Sequence, residues 1–191
     1  MSLCGGKFAV ELKNDKIMTT KDLKEFNFKG DYQTMVDKLT ELGFNGFKTV
    51  SLLKDSCREI PKTQGIYVVL RKNGDKPEFL EIGTGGTHKE KTEPNVSIGI
   101  LEKNWVSGTP VMYIGKAGAG RLRGRIREYM RFGSGNEVGH WGGRLIWQLA
   151  DVNDLIVCWC ETEEDSRDIE RKLIEKFTDE FGARPFANLA D

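Results

Sequence analysis

The chain has no apolar run of membrane-spanning length and no signal-peptide pattern at its start, so no membrane role is expected. It also lacks net charge. Lysine and arginine number 29, and so do aspartate and glutamate. That balance excludes a globally basic nucleic-acid coat and makes any basic footprint local. Its four cysteines, Cys4, Cys57, Cys158 and Cys160, form no CxxC pair and no Cys/His set with zinc spacing. Cys158 and Cys160 alternate around Trp159, so they share one face of a strand. They read as small buried thiols in a reducing compartment, which makes the cytoplasm the expected location. There are no internal repeats. The GTGG at 83–86 lacks the lysine–serine/threonine ending and the following helix of a phosphate loop.

The 191 residues suit one domain with an extension. Tyr32, Met35, Val36, Leu39 and Leu42 recur at helical spacing, with Asp31 as N-cap and Gly43 as the stop. A short helix is also expected over 21–26. Residues 1–60 therefore read as an N-terminal helical extension on a main domain at 61–191. Residues 65–71 alternate as a strand, and 79–82 as a second one. An insertion follows at about 75–110, rich in Gly, Thr, Lys and Glu. Residues 111–114 form a strand, 141–149 a helix and 155–160 another strand. Thr162 and Asp165 fit a capping box before a last helix whose apolar face carries Ile169, Leu173, Ile174, Phe177 and Phe181. Gly182 and Pro185 end it. The expected fold is α+β: a small, mostly antiparallel sheet flanked by helices.

The stretch 111–131 runs from strand to glycine loop to a helix with five arginines in eleven residues, at Arg121, Arg123, Arg125, Arg127 and Arg131. Only Glu128 offers a local acid, so the helix suits contact with phosphate. Lys116, at the strand's end, and Arg144 extend that basic set. Arg121, Arg125 and Tyr129 share one helical face. Glu170 lies on or beside the apolar face of the last helix. Such a carboxylate needs a partner: an arginine in a structural ion pair, or a divalent cation. Position alone leaves both open. Tyr67 and Tyr113 taken singly are ordinary strand residues, and Asn188 an ordinary turn residue. His140 and Trp141 start a helix or touch a nucleic acid.

Together these residues resemble the GIY-YIG nuclease superfamily. Gly65-Ile66-Tyr67 matches its first motif and Tyr113-Ile114-Gly115 its second. LRGRIREY at 122–129 is similar to its arginine helix, IERKLIEKF at 169–177 to its glutamate helix, and RPFAN at 184–188 to its closing proline-x-x-asparagine. The resemblance covers roughly 61–191. Two departures stand out. Forty-five residues separate Tyr67 from Tyr113 where a short hairpin is usual. The loop after the second motif is two residues longer than the common pattern. Arg123 fits the shorter count, but Arg125 keeps the spacing to Ile126 and Tyr129.

The resemblance implies a DNA endonuclease, with RNA as the alternative substrate and a homodimer compatible with it. It implies that Glu170 holds Mg2+ or Mn2+, that Arg125 stabilises phosphate charge, and that Tyr67 is the general base. Tyr113 and Tyr129 would assist and Asn188 would orient the site. Lys116, Arg121, Arg123, Arg127, Arg131, His140 and Arg144 would contact nucleic acid. The rival readings are a non-cleaving nucleic-acid-binding module and a protein-interaction domain.

Overall fold

The computed structural model describes residues 16–87, 93–138 and 141–189. Its centre is a four-stranded sheet in the order β1-β4-β2-β3. The strands are β1 (Asn45–Thr49), β2 (Gly65–Leu70), β3 (Val111–Ala117) and β4 (Ile156–Glu161), and every neighbouring pair is antiparallel. Among the described residues five α-helices flank it: α1 (Tyr32–Glu41), α2 (Val50–Asp55), α3 (Ile98–Asn104), α4 (Leu122–Phe132) and α5 (Ser166–Phe181). The α+β expectation holds. Among the described residues no helix is long and apolar enough to cross a membrane.

Strand alternation sorts the core into two layers. Tyr67, Val69, Val157 and Trp159 pack with α2, α4 and a 3-10 turn at Arg144–Gln148. Ile66, Val68, Leu70, Cys158 and Cys160 face the other way, toward α1 and α5. β2 is thus buried along its whole length. Each such side chain contributes about 1.5–3 kcal/mol by leaving water. Cys158 and Cys160 share the β4 face turned toward α1 and α5, and both thiols are buried and free.

Several local expectations are met. Asp31 caps α1 by accepting from the Thr34 amide at 2.9 Å, and Gly43 follows with φ +101°. Gly182 ends α5 in the left-handed region.

Others are corrected. The N-terminal extension is not purely helical: its residues 45–49 form β1, an edge strand paired with β4. Residues 20–24 make turns in place of the expected helix. Phe79 makes only an isolated bridge to Leu149, so 79–82 is not a strand. The expected helix over 141–149 shortens to the 3-10 turn, because Gly143 takes φ +75° just before it. The capping box does not form. α5 starts at Ser166 under Asp165, which accepts from the Arg167 amide at 2.8 Å. Thr162 is instead buried in a bridge with Met18.

Candidate active site

Three tyrosines from three elements meet beneath the sheet. Tyr67 on β2, Tyr113 on β3 and Tyr129 on α4 have ring centroids 5.6–6.1 Å apart. Tyr67 lies opposite Gly115 in the β2–β3 register. A Cβ at Gly115 would come within 2.6 Å of the Tyr67 phenol oxygen, so only glycine lets the ring lie across the neighbouring strand. The Gly142–Gly143 turn closes over the other two rings. The Tyr129 hydroxyl donates to the Gly143 carbonyl at 2.7 Å. A Cβ at Gly142 would meet the Tyr113 oxygen at 2.8 Å.

The three phenols differ in access. Tyr67 and Tyr129 are 0% exposed and Tyr113 is 7% exposed. Burial raises all three pKa values, pushing Tyr113 to about 12 and the other two well above the ordinary value. Neighbouring phenols add to the rise at Tyr67, and the Arg125 charge opposes it at each ring. The Tyr67 hydroxyl is buried without a well-aligned hydrogen-bond partner, although Tyr113 lies close enough to affect its titration. Tyr67, expected as the general base, is therefore a neutral phenol behind Tyr113, and Tyr113 is the ring at the surface of the site.

Tyr113 opens onto a cleft of 1270 Å³ between α4 and α5. Arg121 and Arg125 enter from α4, Glu170 from α5, Lys116 from the end of β3, and Asn188 from the C-terminal segment. Seven cations and three carboxylates line it, a local excess of positive charge in a neutral chain. A second cleft, of 1010 Å³, lies around residues 71–77 and 105–110. It carries equal numbers of cations and carboxylates and none of the candidate residues.

Glu170 resolves as an ion pair with Lys116, where the sequence pointed to an arginine or a metal. Its side chain is only 15% exposed. Arg125 lies 3.5 Å from Glu128, and Arg121 is 2.7 Å from the same carboxylate. Asn188 accepts from the Ile114 amide at 2.8 Å and donates to the Ile114 carbonyl at 2.7 Å. It thereby covers the open edge of β3 next to Tyr113.

Arg123, Arg127 and Arg131 are absent from the cleft lining. Arg123 donates to the Ile60 carbonyl on the side of α4 that packs toward α2, and Arg127 and Arg131 are exposed. The N-terminal amides of α4 are also occupied: those of Leu122 and Arg123 donate to the Thr63 and Pro61 carbonyls. An anion here would meet side chains and not a bare helix end. His140 lies outside the described residues.

Arg167, Arg171 and Arg184 also line the cleft and were not singled out from the sequence. Arg167 lies three residues before Glu170 and so shares its helical face, a signal that a search for such neighbours would have found; Arg171, the next residue along, follows from no such spacing. The Gly142–Gly143 turn carried no sequence signal beyond the glycine pair.

As a cation site the cleft offers a hard carboxylate donor at Glu170. Among the described residues no three His, Cys, Asp or Glu side chains cluster as a metal cage. The residues fit a cation that takes most of its ligands from phosphate and water, and Glu170 would have to release Lys116 to bind it. No protein-family model matches the chain, and no curated protein or solved structure is significantly similar to it.

Proposed function

We propose that this protein is a GIY-YIG-type endonuclease that hydrolyses phosphodiester bonds in DNA within the α4–α5 cleft. The observation that supports this reading is the convergence of Tyr113, Arg125, Glu170 and Asn188, from four separate elements, on one cation-rich cleft. RNA shares the phosphodiester chemistry and is the alternative substrate. The buried free thiols fit a cytoplasmic setting.

In the reaction, water oxygen bonds to phosphorus, the bond to the leaving oxygen breaks, the water gives up a proton, and the leaving oxygen gains one. Arg125 turns from Glu128 and offers its planar fork to the phosphate oxygens, where negative charge grows. Tyr113 is the phenol that touches the water. With its pKa near 12, it carries roughly one phenolate in 10^5 molecules at pH 7. As a phenol it orients the water through a hydrogen bond, and the water's proton passes to bulk water in the open cleft, which also returns one to the leaving oxygen. Tyr67, fully buried behind it with no partner among the described residues to take a proton onward, packs against the Tyr113 ring in place of the base role implied for it. Asn188 holds β3, and with it Tyr113, in register. Glu170 would hold Mg2+ or Mn2+, which when bound supplies Lewis-acid stabilisation of phosphate charge. One cleft addresses one phosphodiester, so cutting both strands calls for two copies or two encounters.

The Lys116–Glu170 pair favours a second reading, a nucleic-acid-binding module that does not cut, because it neutralises the carboxylate that would hold the metal. Plasmid DNA incubated with the protein, with magnesium or with chelator, separates the two. Magnesium-dependent nicking that disappears in Glu170→Ala is expected. Binding without nicking under every divalent-cation condition would leave only the second reading.

A further inference from the structure

We propose that Arg144 is an anion-binding residue of the cleft and seats the phosphoryl group that lies against Tyr113. The inference rests on the phosphodiester reading for its substrate, but its physical basis is separate. Arg144 follows Gly143 directly, at the start of the 3-10 turn, and its guanidinium lies over the Trp141 ring at 4.3 Å. It is partly buried, and its Nε is buried with no hydrogen-bond partner. Among the described residues it has no carboxylate within ion-pair distance. Four of the other six cations of the cleft do: Lys116 pairs with Glu170, Arg121 and Arg125 with Glu128, and Arg171 with Asp168.

A partly desolvated guanidinium without a counter-charge is unfavourable until an anion meets it. Burial already pulls its pKa down from the ordinary value. Stacking on Trp141 uses the face of the guanidinium and leaves its in-plane N–H edge for a phosphate fork. The position is fixed by the neighbouring turn: the Gly143 carbonyl holds the Tyr129 hydroxyl, and Gly142 packs against the Tyr113 oxygen. An anion on Arg144 therefore lies beside Tyr113.

The test uses the full chain and inorganic pyrophosphate, titrated by calorimetry at low salt without metal, with DNA cleavage as a second readout. Arg144→Ala should weaken pyrophosphate about tenfold or more. Arg144→Lys, which keeps the charge but loses the fork, should fall between it and the wild type. In cleavage, Arg144→Ala should lose about 10^2–10^3-fold in kcat with little change in KM, and added guanidinium should restore part of the loss. Should Arg144→Ala fail to fold, the lysine variant decides: a change under twofold in both readouts overturns the proposal. Wild type that binds no pyrophosphate overturns it as well. A wild type that cuts nothing, yet binds pyrophosphate in an Arg144-dependent way, removes the hydrolase reading and leaves the anion site standing.

Discussion

Lys116 and Glu170 join the end of β3 to α5 by an ion pair inside the cleft. Each side chain answers the other's charge, so the pair competes with any cation that Glu170 would hold. Replacing Lys116 by Met removes the competitor, and Mn2+ should then bind more tightly by about tenfold, the effect of one partly buried opposite charge. Metal titration followed by electron paramagnetic resonance reads this directly. Equal Mn2+ affinity in wild type and Lys116→Met would remove Glu170 from the metal assignment.

Titration of the phenols has a defined sign. The folded pKa of Tyr113 is about 12, above an unfolded value near 10, and burial also raises those of Tyr67 and Tyr129. Their contribution to stability is complete below about pH 10 and is lost as pH rises through the folded values. The chain has four tyrosines, and the fourth, Tyr32, is only partly buried. In an alkaline titration Tyr32 should ionise first, and the other three should ionise together with loss of circular dichroism. Three phenolates appearing reversibly near pH 10 in folded protein would contradict the buried cluster.

The fold class was legible because β2, β4 and α5 carry strong periodicity; the bounds of β2 and β4 agree with the expected runs to within about a residue, while α5 is capped three residues later than expected, at Asp165. β1 was not, because Asn45–Thr49 shows no alternation and its pairing comes from β4, more than a hundred residues away. The capping box failed through tertiary context, since Thr162 is drawn into the Met18 bridge. At the site, residues within the recognisable motifs came together. The division of the α4 arginines between cleft and outer face depended on where α2 packs, and local spacing does not report that.

Gly115→Ala should cost about 1–3 kcal/mol, because the new Cβ drives into the Tyr67 ring. The loss should shrink when Tyr67 is replaced by Ala, since the two changes share one contact. Denaturant unfolding of the two single variants and the double variant forms the cycle. Strict additivity would mean that the glycine serves some other purpose.

Asn188→Ala removes both hydrogen bonds to Ile114, at a cost of about 1–3 kcal/mol. Asn188→Asp keeps the acceptor for the Ile114 amide and loses the donor to its carbonyl, so it should also destabilise. Thermal melts give the stability change. Cleavage at a temperature where both variants stay folded separates positioning of Tyr113 from stability alone: kcat should fall even then. Full activity under those conditions would reduce Asn188 to an edge cover.

The two faces of α4 give the sharpest test of where nucleic acid lies. Arg121 and Arg125 line the cleft, while Arg127 and Arg131 are exposed away from it. Removing one cation that neutralises a phosphate lowers the slope of log affinity against log salt by about 0.9 on duplex DNA. Arg125→Ala, measured by fluorescence anisotropy across a salt series in the Glu170→Gln background to prevent cutting, should lower the slope by about that amount. Arg127→Ala and Arg131→Ala should leave it within error, although a helix read only by composition would give all five arginines equal weight. If the outer arginines change the slope and Arg125 does not, the strand runs over the outer face of α4. Tyr113 and Glu170 would then lie off the path of the phosphate, and the α4–α5 cleft would lose its claim as the reaction centre.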